Sequence, residues 1–98
     1  MSAPRTVYVT ANGAVVRRSG ERLHVFAKKD RIADLPIADV SELVLMGNVT
    51  LTPSALGTLV DRGIDTVLLT HGGRYRGRIV GGASSNVRLR LRQYELHR

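Results

Sequence analysis

At 98 residues the chain has room for one domain, and at that size folding removes only about two-thirds of the surface exposed by the unfolded chain, so a single modest core is all it can build. The absence of cysteine excludes a disulfide framework, a thiolate metal site and a thiol nucleophile, and no apolar stretch reaches signal-peptide or bilayer-spanning length, which points to a cytoplasmic protein. Fifteen Lys and Arg against eight Asp and Glu give a net charge of +7, unevenly spread: residues 1–73 hold eight basic and seven acidic groups, whereas residues 74–98 hold seven arginines against Glu95 alone.

In chain order, Val7-Tyr8-Val9-Thr10 and Ala14-Val15-Val16-Arg17-Arg18 flank Ala11-Asn12-Gly13, whose residues tolerate the positive φ of a tight turn, and read as two paired strands. After Ser19-Gly20, the segment Arg22 to Ala27 alternates polar and apolar through Leu23, Val25 and Ala27. The pattern resumes after Lys28-Lys29-Asp30 and stops at Pro36, which cannot donate to a ladder. The first 36 residues therefore predict a four-stranded antiparallel meander.

Leu43-Val44-Leu45-Met46 is unbroken in its apolarity and predicts a strand buried on both faces. Gly47-Asn48 turns the chain into a brief extended piece at Val49-Thr50-Leu51. Thr52 as N-cap, Pro53 at the first helical position and Gly63 beyond the end delimit a helix over 53–62, with Leu56, Leu59, Val60 and Gly63 along one side. So short a helix is unstable alone in water and must pack on a sheet. Thr66 to Thr70 is a second buried strand that completes a β-α-β unit with the usual right-handed crossover, and His71-Gly72-Gly73 leads to a last strand, Arg74 to Val80.

Residues 1–80 thus predict a mainly β (α+β) domain of two sheets and one short helix. Gly81-Gly82-Ala83-Ser84-Ser85 has the composition of a flexible linker, with Gly81 and Gly82 as its hinge. Beyond it, Val87, Leu91 and Tyr94 fit one helical face and the composition favours a helix, although Val87, Leu89 and Leu91 also alternate with Arg88, Arg90 and Arg92 as in a strand. The helix is the reading adopted, so that 86–98 becomes the start of a helical C-terminal domain and the chain reads as cut off just past its hinge.

The chemistry visible in the residues is electrostatic. His24, His71 and His97 have no spacing that puts two on one face as metal ligands, the aspartates sit at turns and element ends, and no two-carboxylate pair is evident. No catalytic and no metal-binding residue is therefore assigned. Gly72-Gly73 and Gly81-Gly82 lack the strand-to-helix context of a phosphate-binding loop. Arg74, Arg76 and Arg78, spaced by two, would share one face of a strand about 7 Å apart, close to the phosphate spacing along a DNA strand; Arg88, Arg90 and Arg92 extend the basic run. Contacts of this kind read phosphates and ignore sequence. The competing explanation is an edge strand that its charges protect from aggregation, and a G+C-rich coding bias also favours arginine, which outnumbers lysine thirteen to two.

The order of features is itself informative: Val7-Tyr8-Val9-Thr10 with Gly13-Ala14, Gly20-Glu21-Arg22-Leu23, Leu43-Val44-Leu45-Met46-Gly47-Asn48-Val49, the Pro53 helix, Gly63-Ile64, Gly73-Arg74-Tyr75, and Asn86-Val87-Arg88-Leu89-Arg90 with Gln93-Tyr94. Together these resemble the N-terminal β domain of the Cas1 family of CRISPR spacer-acquisition integrases. The resemblance implies a metal-dependent DNA endonuclease and integrase of antiviral defence, whose Mg- or Mn-binding ligands lie in a helical domain that this sequence lacks. It further implies a homodimer that contacts duplex DNA, either a prespacer or the CRISPR repeat, and that meets a Cas2 subunit through the missing domain. Self-association is expected through the meander of residues 7–36. The alternative is a stand-alone basic β module that binds DNA or RNA backbone non-specifically.

Overall fold

The computed structural model describes residues 3–81 and 88–91. Its strands are β1 (Arg5–Val9), β2 (Val15–Ser19), β3 (Arg22–Ala27), β4 (Asp30–Pro36), β5 (Val40–Met46), β6 (Thr50–Leu51), β7 (Asp65–Leu69), β8 (Tyr75–Val80) and β9 (Arg88–Leu91), with one helix, α1 (Pro53–Asp61), and a single 3-10 turn at Ile37–Asp39 before β5. They form a five-stranded sheet in the order β1-β5-β7-β8-β9 and a four-stranded sheet in the order β4-β3-β2-β6. The domain is mainly β, with two sheets and one short helix.

The pairing of the first two strands differs from the expected hairpin. Instead of pairing with β2, β1 runs parallel to β5, with Val7 opposite Leu43 and Val9 opposite Leu45. The antiparallel meander therefore has three strands and begins at Val15, and β6 adds to it in parallel beside β2. The turn at Asn12-Gly13 exists, with Gly13 at φ 81°. It is tied, however, to the turn between β5 and β6, distant in sequence: the Gly13 N–H donates to the Asn48 carbonyl at 2.6 Å, and the Asn48 N–H donates to Asn12 Oδ1 at 3.4 Å. The physical cause lies in β5. A strand buried on both faces is an interior strand whose backbone needs partners on both edges, and β1 supplies one while β7 supplies the other, Leu43 facing Thr66 and Leu45 facing Leu68.

Helix α1 bridges β5 and β7 and forms as the sequence dictates. Thr52 Oγ1 accepts from the Ala55 N–H at 3.3 Å, and Pro53 occupies the first turn, where its missing N–H costs nothing. Gly63 at φ 67° ends it, with the Ile64 N–H returning to the Leu59 carbonyl at 2.9 Å. Its buried face is Ala55, Thr58, Leu59 and Val60, while Leu56 is only half-buried. This face packs against β2 and β7, so Val9, Val16, Leu23, Val25, Leu43, Leu45 and Leu59 join in one core between the sheets.

Past β8 the expected helix is replaced, at least over Arg88–Leu91, by strand β9, which runs antiparallel to β8 with Gly77 opposite Leu91 and Ile79 opposite Leu89. Without β9, β8 would leave a row of backbone donors and acceptors unpaired. Pairing satisfies them, and the strand alternation in Arg88-Leu89-Arg90-Leu91 suits that edge better than a helical stripe does. The remainder of the expected helix lies outside the described residues, as do Gly82 to Ser85. Gly81 is described, and a Cβ built on it would overlap the backbone carbonyl of Val60, so β8 leaves the sheet in close contact with the end of α1.

Candidate nucleic-acid interface

Three arginines of β8 and the turn before it carry the expected interface, and the structure sends them three ways. Thr70 to Arg74 forms the turn between β7 and β8: the Thr70 N–H donates to the Arg74 carbonyl at 2.7 Å, and the Arg74 N–H donates to Thr70 Oγ1 at 3.0 Å. Arg74 thus precedes the strand and is exposed. Leu68 lies opposite Gly77 and Leu69 opposite Tyr75, which leaves Arg76 as an extra residue on β8. Such a bulge breaks the two-residue alternation and re-aims a side chain, so the simple strip of three arginines on one flat face does not form.

Arg78 is engaged within the protein. Its Nη2 lies 3.3 Å from Glu42 Oε2 on β5 and 3.5 Å from Asp65 Oδ2 on β7, and all three side chains are about one-third exposed. Thr6 Oγ1 on β1 donates to the other Glu42 oxygen at 3.4 Å. Two carboxylates therefore face this guanidinium before any ligand does. Along β9, Arg90 lies opposite Arg78 and Arg88 opposite Val80 in backbone register; Arg92 lies outside the described residues.

Arg76 is placed differently. It lines a cleft of about 340 Å³ together with Asn12, Gly47, Asn48, Thr70 and His71. The cleft lies beyond the carboxyl ends of the three parallel strands β1, β5 and β7, the position where open sheets with parallel strands present ligand sites. Gly47, at φ 83°, keeps its backbone beside the His71 ring: a Cβ there would meet His71 Nδ1 at 3.5 Å. The lining offers amide, imidazole, hydroxyl and guanidinium donors and, among the described residues, contains no carboxylate. In sequence, Asn12, Asn48 and His71 are ordinary turn residues. Their only shared signal is that each follows an apolar strand, and it becomes meaningful once those strands are known to be parallel neighbours.

Other charges are matched locally. Arg22 Nε donates to Asp34 Oδ1 at 2.6 Å and holds that carboxyl below its ordinary value, and His24 Nε2 lies 3.4 Å from the same oxygen. The Arg62 hydrogen bond to Glu21 at 2.7 Å lowers the Glu21 carboxyl, helped by the charges of Arg62 and Arg18. Among the described residues no group of three His, Asp or Glu side chains is disposed to hold a metal ion, so they do not fit the metal implied by the sequence resemblance. No described helix is long and apolar enough to cross a membrane.

The sequence model of the family described as CRISPR associated protein Cas1 matches residues 7–98. The chain belongs to the Cas1 family. A Cas1 endonuclease of Rhodospirillum rubrum is 34% identical over 90 residues, which are 92% of this chain and 26% of that protein. The chain thus spans about a quarter of that Cas1 relative's length. Among solved structures, one chain of a partial Cas6-RT-Cas1–Cas2 complex superimposes with a TM-score of 0.76 at 16% identity, covering 82% of this chain and 24% of that one. A TtCas1–DNA complex gives 0.70 at 21% identity, covering 83% and 30%. At these identities the structural matches establish the Cas1 fold alone.

Proposed function

We propose that the chain is the dimerising, DNA-supporting N-terminal part of a CRISPR spacer-acquisition integrase acting in the cytoplasm. In this reading duplex DNA, a second copy and a Cas2 subunit are its partners, and the Mg- or Mn-dependent endonuclease chemistry belongs to a helical domain outside this sequence. The 98 residues themselves contribute shape and charge. The observation that carries the reading is Arg76 in a cleft lined by the donor groups of Asn12, Asn48, Thr70 and His71, with no carboxylate in that lining among the described residues, and exposed Arg74 two residues before it in the chain. Relatives in the family that are described as endonucleases, and one solved in complex with DNA, agree with it.

The contacts are to phosphates, through Arg74 and Arg76, with Arg88, Arg90 and Arg92 extending the footprint and Arg78 held back by Glu42 and Asp65. Binding of a 20-base-pair duplex measured across a salt series tests this. If about three to five phosphates are neutralised, log affinity falls with log salt at a slope of roughly −3 to −4.5, the same for unrelated sequences. Replacing Arg74 and Arg76 by alanine flattens the slope by up to about two, whereas Arg78→Ala changes it by less than about half a unit. A double variant with the parent's slope overturns the assignment.

A further inference from the structure

The charge count along the chain makes residues 1–73 nearly neutral, yet the four-stranded sheet gathers a second basic surface from them. On its outer face Val15 of β2 lies opposite Phe26 of β3, which in turn lies opposite Arg31 of β4. The Arg17 guanidinium carbon is 5.9 Å from the Phe26 ring centroid, and the His24 ring meets Phe26 edge-on at 6.1 Å. Val15, Arg17, Phe26 and Lys29 line a cleft of about 350 Å³. Arg17 and Lys29 thus border one aromatic ring, with Arg31 opposite it in register, Lys28 beside Lys29 in the hairpin and Asp30 as the acidic residue next to that loop; Asp34, farther along, is already paired to Arg22.

The hairpin that delivers Lys29 is unusual. Ala27 pairs with Asp30, so Lys28-Lys29 is a two-residue loop, and both lysines adopt positive φ, 52° and 73°. That geometry is the twist-matched turn normally filled by Asn-Gly. A residue with a Cβ is strained there by roughly 1–2 kcal/mol, and strained backbone clusters at sites of function. Here it places two ammonium groups at the end of a sheet face bearing the chain's one phenylalanine.

We propose that this cleft is a stacking site for an unpaired base of a single nucleic-acid strand, the base lying on Phe26 and Val15 in the place of the Arg17 guanidinium, which lies over that ring and moves out with Lys29 to hold the flanking phosphates. An aromatic ring bordered by cations is the arrangement by which proteins hold single strands, since every base has a π face and every nucleotide a charge. Duplex DNA does not satisfy the site, because its base faces are already stacked. One ring serves one base, which fits a cleft near the lower end of small-ligand pocket volumes. The site lies on the other sheet from Arg74 and Arg76 and shares with the proposed function only the class of ligand.

Fluorescence anisotropy of the 98-residue chain with labelled dT12, an abasic dodecamer and a 12-base-pair duplex tests the proposal. Phe26→Leu keeps an apolar side chain on the sheet and removes the π face. It should weaken dT12 binding about five- to thirtyfold, leave duplex binding unchanged, and be rescued by Phe26→Tyr. The abasic strand should bind the parent about as weakly as dT12 binds Phe26→Leu, and Lys29→Gln should weaken both strands. Equal dT12 affinity for the parent and Phe26→Leu overturns the stacking site, as does an abasic strand that binds the parent as tightly as dT12. Displacement of dT12 by poly-glutamate at matched charge would show a surface for an acidic protein and also overturns it. Failure of duplex binding with the dT12 pattern intact would remove the proposed function and leave this site standing.

Discussion

The two sheets share one core but handle their outer faces by opposite means. In the five-stranded sheet the interior strand β5 is apolar on both sides, and the charged outer-face groups Glu42, Asp65 and Arg78 neutralise one another across three adjacent strands. In the four-stranded sheet Val16, Leu23 and Val25 face the core, and the outer face mixes charged residues with Val15 and Phe26. Its charges balance at one end, where Arg22 meets Asp34, and are in basic excess at the other, around Phe26 and the lysine hairpin, where Asp30 is outnumbered. Where neighbours in a sheet come from distant sequence, charge balance is invisible in the linear order; where they come from a hairpin, the imbalance is built by register.

The strongest test of this contrast is whether the sheets are energetically one unit. Leu59 is fully buried in α1, which packs against β2 of one sheet and β7 of the other. Leu59→Ala should cost about 3 kcal/mol and lower the urea midpoint of a single transition seen by all probes. Two separable transitions would show that the sheets stand apart.

A smaller effect of opposite sign is expected at the hairpin. Substituting Lys28→Asn together with Lys29→Gly relieves the cost of left-handed backbone and should stabilise the domain by about 1 kcal/mol, read as a raised thermal midpoint. The same change should weaken dT12 binding, so that stability and binding move apart as they do when strain is kept for function. No gain in stability would mean that the lysines sit there without strain.

The smallest expected effect is the acid response of the balanced charges. The Asp34 and Glu21 carboxyls are both lowered from ordinary values of 3.8 and 4.5 by hydrogen bonds from Arg22 and Arg62. The unfolded chain therefore takes up protons first as pH falls, so their contribution is present above about pH 5 and is lost as pH drops through the lowered values. Both groups are solvent-exposed, so the loss is slight. Asp34→Asn should flatten the decline of the urea midpoint between pH 5 and pH 3, and an unchanged decline would locate the acid sensitivity elsewhere.

Much of this molecule is local and was readable in order along the chain. Thr52, Pro53 and Gly63 bound a helix wherever they are placed at that spacing, Pro36 ends a strand, and four consecutive apolar residues at 43–46 demand burial on both faces. Those rules act within a few residues of each other. Arg74, Arg76 and Arg78 were visible as a basic run for the same reason, although the bulge and the carboxylates that separate their roles come from β5 and β7.

By itself, then, the sequence determined the element types up to Val80, the limits of the helix that opens at Pro53, the mainly β class and the family. Tertiary structure alone decided that β1 joins β5 rather than β2, because an interior strand needs hydrogen-bonding partners on both edges and both hairpin and parallel pairing bury Val7 and Val9. It also decided that Arg88–Leu91 forms a strand, because the open edge of β8 outweighs a helical preference of a few tenths of a kcal/mol per residue. Finally, it assembled the cleft of Asn12, Asn48, His71 and Arg76 and the basic ring around Phe26, since their residues meet only through pairing across strands.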